Sequence, residues 1–147
     1  MPQVRNFFKN PEAIVAAIQR AERKTSGEIK VHIDAHCEKE VMLQAQETFF
    51  HLGMDQLPNK NGVLIYIAAQ DNKLCILGDA NIDAIVGAGF WNDTVYKMVE
   101  HFKKKEFDEG VAEAILEIGR KLQEYFPYDA KNDTNDLPDD ISYGGQL

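Results

Sequence analysis

Three oxygen-bearing side chains at alternate positions, Asp79, Asn81 and Asp83, are the residues of this chain best suited by type and spacing to do chemistry. Carboxylate and amide oxygens at every second position can converge on one hard cation, as in the opening of a calcium loop. The match is partial. Ala84 stands where such a loop needs glycine for its sharp turn, and Phe90 stands where a bidentate glutamate would close it. An EF-hand is thereby excluded. A cation site completed by remote ligands stays open, beside the plainer reading that loops after strands favour Asp and Asn.

Other chemistries lack their residues. His32, His36, His51 and His101 show no spacing of a zinc site. No serine nucleophile elbow, phosphate-cradling glycine loop or HExxH is present, and Gly87-x-Gly89 is too short and wrongly placed for a nucleotide fingerprint. Two cysteines make no disulfide framework: Cys75 reads as a small buried hydrophobe and Cys37 as a loop thiol without a second pair nearby.

The elements that must position the acidic cluster follow from hydrophobic period. Asn10-Pro11-Glu12 opens a helix whose apolar face is Ile14, Ala17, Ile18 and Ala21, with Ser26-Gly27 ending it through a left-handed glycine. From Glu28 the period becomes two: Ile29, Val31, Ile33 and Ala35 alternate with Lys30, His32 and Asp34, predicting a strand with one buried face. Glu38 to Leu52 returns to helical period and Gly53 closes it. Gly62 to Ala68 is apolar on both faces, as in a strand covered above and below, and a polar turn at Asp71-Asn72 leads to Lys73–Leu77. Strand, helix and strand predict a parallel pair, and the hairpin then adds an antiparallel strand. Residues 84–90 leave open a short fourth strand or a packed loop. Helices are predicted from Asn92 or Asp93 to Lys103 and from Glu106–Asp108 to Tyr125, where Pro127 stops the second. The fold expected is α/β: a three-layer α-β-α sandwich around a small mixed sheet of about four strands. Residues 1–127 form the domain, and 128–147 an acidic, extended or flexible tail.

This topology selects the remaining ligands. The hairpin returns the chain to the end of the sheet where the central strand begins, so Asp79 is expected near Asp55, Asn59 and Asn61 in the connecting loop. Asp34 with Glu38, at the opposite end, forms a weaker and separate candidate.

Composition narrows the partners. The chain has 147 residues, a formal charge of −8 and 44% hydrophobic residues, and residues 128–140 carry five Asp and one Lys. An acidic surface disfavours nucleic acid and anionic membranes, because phosphate contacts need basic groups. No stretch approaches the roughly 20 apolar residues of a membrane span. Nor does Met-Pro-Gln-Val-Arg-Asn-Phe-Phe carry the apolar core of a signal segment. A cytoplasmic location without direct membrane insertion is expected.

The chain resembles the TPM domain family. The resemblance rests on Ala21-Glu22-Arg23-Lys24-Thr25-Ser26-Gly27-Glu28-Ile29, Asn61-Gly62-Val63-Leu64-Ile65-Tyr66-Ile67, Gly78-Asp79, Phe90-Trp91, Gly110, Phe126-Pro127 and the tail Asn135 to Tyr143. It implies an α-β-α sandwich on four strands. Family members are linked to photosystem II repair, to bacterial membrane-associated proteins and to a receptor-associated animal protein; some are described as calcium-binding and a plant member as an acid phosphatase. Asp79 is the position that carries over best, while Asn81 and Asp83 are additions from their own residue types. The function expected is a divalent-cation-binding module, with Ca²⁺ or another ion such as Mg²⁺ ordering loops at one edge of the sheet. A membrane-associated protein is the partner the resemblance suggests. The alternatives are a metal-dependent, acid-phosphatase-like enzyme in which the ion activates water, and an adaptor without metal.

Overall fold

The computed structural model describes residues 4–87, 89–129 and 139–144. The elements run α1 (Pro11–Glu22), β1 (Glu28–Asp34), α2 (Val41–His51), β2 (Gly62–Ala68), β3 (Lys73–Gly78), α3 (Ala80–Val86), α4 (Asn92–Lys103), α5 (Phe107–Tyr125) and β4 (Ser142–Tyr143). Short 3₁₀ turns lie at Val4–Asn6 and Met54–Gln56. The sheet order is β3-β2-β1-β4: β1 is parallel to β2 and to β4, and β2 is antiparallel to β3. This is the mixed four-stranded α/β fold expected. Among the described residues no helix is long and apolar enough to cross a membrane.

Two apolar layers hold the sheet. Ile29, Val31, Ile33, Val63, Ile65 and Ile67 pack with Ile14 and Ile18 of α1, Met98 of α4 and Ile115, Ile118 and Leu122 of α5. Leu64, Tyr66, Ala68 and Cys75 pack on the other face with Ala45 and Phe49 of α2 and with Met54 and Cys37. Cys75 is thus a core thiol, pushed up to about 12 by burial and then by Glu40 and Cys37. Cys37 is buried too; its N–H donates to Asp71 Oδ2 at 2.6 Å and its thiol to the Lys39 carbonyl at 3.2 Å.

Four expectations need correction. The fourth strand comes from Ser142–Tyr143, beside β1, while residues 80–86 form a helix. β1 is buried on both faces, Lys30 and His32 included, because the end of the chain covers its polar side. Gly27 is not left-handed; a Cβ there would lie 2.8 Å from Leu122 Cδ1 and 3.1 Å from the Asn61 carbonyl, so close packing is what requires glycine. Asn10 occupies the first capping position of α1 but makes no side-chain cap. Asp108 instead accepts from the N–H groups of Lys9 and Asn10. Of the acidic tail, residues 139–144 dock along β1 and Tyr128 and Asp129 follow α5; residues 130–138 and 145–147 lie outside the described residues.

Carboxyl groups meet where α1, β1 and the tail converge. Glu22 Oε2 accepts from the Ile29 N–H at 2.8 Å. Burial raises its carboxyl to about 9, with the Asp139 hydrogen bond and Glu28 acting in the same direction. A carboxyl with a raised folded-state value favours the fold while neutral. Its contribution is complete below about pH 4.5 and is lost as pH climbs towards about 9. Thermal unfolding between about pH 5 and pH 9 is therefore expected to show falling stability, and Glu22→Gln to flatten that dependence while keeping the acceptor for Ile29. Identical slopes in both proteins would contradict the assignment. A second prediction concerns α1 against α5, where a Cβ on Gly119 would lie 2.8 Å from Ala21 Cβ and 3.2 Å from Ala21 Cα. Gly119→Val should lower the unfolding free energy in urea by about 2 kcal/mol through overpacking, and an unchanged midpoint would refute it.

Candidate functional site

The segment after β3 is built by one residue in particular. Asp79 takes extended backbone angles, and its Oδ1 accepts from the Ala80 N–H at 2.6 Å, capping α3. Its carbonyl then accepts from Ile82 and Asp83. Buried Ile82 pins the helix to the core, and Gly87, at φ +75°, ends it. Asp79, Asn81 and Asp83 are therefore a cap and two helical positions rather than positions of an open loop. The reason is local: a capping Asp followed by Ala-Asn-Ile-Asp-Ala-Ile-Val nucleates a turn that the buried isoleucine holds in place.

Helical spacing nevertheless brings two of the three together. Asp79 and Asp83 stand one turn apart on the same face. Burial raises the Asp83 carboxyl above its ordinary value, and the Asp79 charge raises it further. Asp79 is only 9% exposed, and its Oδ2 is buried without a hydrogen-bond partner among the described residues. Asn81 turns instead to the connecting loop, donating from Nδ2 to the Asn59 carbonyl at 2.8 Å.

The loop before β2 adjoins this edge, since the Asp79 N–H donates to the Gly62 carbonyl at 2.9 Å. Its residues divide. Asn59 is tied to α3 through Asn81. Asn61 is 2% exposed and uses its amide on Ser26 Oγ and its carbonyl on the Glu28 N–H, so it braces the start of β1. Asp55 lies in the 3₁₀ turn, where its carboxylate accepts from Gln56 and its carbonyl from Lys60 Nζ. Among the described residues no group of three or more His, Cys, Asp or Glu side chains could hold a metal ion. Carboxylates from Asp79 and Asp83 would need loop carbonyls, amide oxygens and water to complete the six to eight oxygens of Ca²⁺. The buried, unpartnered Asp79 Oδ2 is the feature that suits such an ion.

Asp34 and Glu38 are not brought together as a pair. Glu38 is exposed, whereas Asp34 belongs to a network that sequence reasoning missed. His32 lies between Ser142 Oγ and Asp34 Oδ1, each 2.7 Å from a ring nitrogen, and Tyr66 donates to Asp34 Oδ2 at 2.5 Å. Burial alone would raise the Asp34 carboxyl, but the hydrogen bonds from His32 and Tyr66 outweigh it and the net shift is downward. Tyr66 is pushed up by burial and by Asp34. Gly144 lies so close that a Cβ there would fall 1.7 Å from Asp34 Oδ1. Lys30 Nζ reaches the Asp140 carbonyl and carboxylate at 3.2 and 3.3 Å. These groups fasten the end of the chain across β1. The visible signal was the polar series Lys30, His32 and Asp34 on a strand of otherwise core composition.

The family model of the TPM domain matches residues 6–121. The NMR structure of the BA42 protein from the psychrophilic bacterium Bizionia argentinensis is 38% identical, with a TM-score of 0.87 over 98% of this chain and 100% of that one. The N-terminal domain of a protein from P. gingivalis, also solved by NMR, shares the fold at 16% identity and a TM-score of 0.65, over 81% of this chain and 78% of that one. No curated protein matches the chain. With the family model spanning most of its length and a full-length structural relative at this identity, the chain belongs to the TPM domain family.

Proposed function

We propose that this domain is a divalent-cation-binding module, taking Ca²⁺ in preference to Mg²⁺, whose ion orders the edge formed by the start of α3 and the loop before β2. One observation carries the reading: Asp79 keeps a buried carboxylate oxygen without a hydrogen bond among the described residues, and Asp83 one turn away already feels its charge. A buried polar atom left unpaired is costly, and two neighbouring carboxylates repel one another. A bound cation offsets both terms. Ca²⁺ suits the position better than Mg²⁺, because it accepts irregular oxygen sets that mix carboxylates, carbonyls and water. The ordered edge would then present a surface to a partner protein, of the membrane-associated kind suggested by the family resemblance, making the role regulatory rather than catalytic.

The reading is tested by adding CaCl₂ to millimolar concentration while amide NMR resonances are followed residue by residue. Saturable shifts are expected in residues 54–61 and 78–87. Stabilisation should reach about 2.7 kcal/mol at a hundredfold excess over Kd, and a chelator should reverse it. Asp79→Asn keeps a capping side chain and removes the charge, so it should retain the fold and abolish the response. Unchanged resonances in both segments at millimolar Ca²⁺ would end the proposal.

A further inference from the structure

The opposite end of the sheet carries a different kind of site. There, beyond the β2–β3 turn, the helical layers leave a cavity of about 570 Å³, within the roughly 300–1,000 Å³ range of small-ligand sites. Its wall is aromatic: Phe7, Phe102 and Phe107 meet one another at centroid distances of 4.7 to 5.8 Å. Ile67, Leu74 and Val99 complete an apolar lining. The polar side chains of the lining are Asn72 and three cations, Lys73, Lys103 and Lys105. Lys103 ends α4 and Lys105 stands in the α4–α5 corner at φ +60°, both exposed. Three lysines thus line one apolar cavity in a chain of formal charge −8.

Asp108 accepts from the N–H groups of Lys9 and Asn10, and Glu106 is paired with His101. Asp71 accepts from Cys37 and His36 and also acts on the charge of Lys73. Lys73 spends one hydrogen on the Cys37 carbonyl and Lys103 pairs with Glu100 across an exposed helix turn, a contact of small energy. Lys105 makes no ion pair among the described residues.

We propose that this cavity binds a free, single-chain fatty-acid anion, the hydrocarbon seated among the phenylalanines and the carboxylate held at the lysine rim. Apolar lining alone would accept any hydrocarbon, so the lysines supply the selectivity for an acid. The site lies at the far end of the sheet from Asp79 and does not depend on a cation there.

Octanoate, decanoate and dodecanoate, each below its micellar concentration, are titrated into the full chain and followed by calorimetry and amide NMR. Affinity should rise about tenfold for each pair of added methylenes, with shifts confined to residues 67–74, 99–107 and Phe7. Decanol should bind about tenfold more weakly than decanoate or worse. Val99→Trp should fill the cavity and abolish binding. Because Val99 lies on α4 and its replacement can disturb that helix, the exposed double variant Lys103→Glu, Lys105→Glu provides the independent arm. It should keep the apo spectrum and weaken decanoate, but not decanol, by about tenfold. Scattered shifts without chain-length dependence, equal affinity for acid and alcohol, or an unaffected double variant would each overturn the proposal. So would binding to anionic phospholipid vesicles with no binding of the monomeric acids.

Discussion

The structure depends on covering both faces of two parallel strands. β1 and β2 run side by side over seven paired positions, Glu28 with Gly62 through Asp34 with Ala68. β2 meets the condition with side chains alone, because Leu64, Tyr66 and Ala68 face α2 while Val63, Ile65 and Ile67 face the other helices. β1 cannot, since its second face carries Lys30, His32 and Asp34. Polar groups held away from water need partners. The tail supplies them: Asp140 for Lys30, Ser142 for His32, and the close backbone of Gly144 above Asp34, with Tyr66 donating from β2. β4, only two residues long, follows from that requirement. Its backbone pairing is brief, and its side-chain bonds hold the chain in register.

This constraint also explains which parts of the fold could be read in the sequence. Periodicity alone predicts α1, α2, α4, α5 and the β2–β3 hairpin, because each buries a face defined by residues close in sequence. Misreadings arise where the partner is remote. Alternation on β1 looks half-exposed until residues 110 positions away are known to lie over His32. Ser142–Tyr143 has too few residues to show a period, whereas the apolar residues 84–90 leave a short fourth strand or a packed loop equally open. Gly27 resembles a helix cap in sequence, and only the approach of Leu122 and the Asn61 carbonyl reveals its packing role.

The acidic segment shows a subtler ambiguity. Asp favours helix caps and cation loops for the same reason, a short side chain ending in oxygen acceptors. Spacing of two suggested the loop, whereas Ile82 and Gly87 decide for the helix by anchoring and ending it. A hairpin must return the chain to where β2 begins, and the bonds from Asp79 to Gly62 and from Asn81 to Asn59 lie at that edge. Asp55 and Asn61 share the loop but turn to Lys60 and Ser26, a division that proximity in sequence could not disclose.

Capping does not by itself account for aspartate at position 79. Asn or Ser would serve the Ala80 N–H about as well without bringing a charge. Aspartate adds a second oxygen that is buried and has no hydrogen-bond partner among the described residues, and a charge that, after burial, raises the carboxyl of Asp83 one turn away. Both effects work against the fold without an ion. The cap itself is oriented by the Asp79 N–H bond to Gly62, which joins it to the central sheet, and the Asn81 bond to Asn59 ties the adjoining loop to α3. A cation held by the second oxygen would therefore act on a carboxylate already fixed in direction and on a loop already attached. A divalent ion that relieved the unpaired oxygen and the repulsion between the two carboxylates would gain affinity from both.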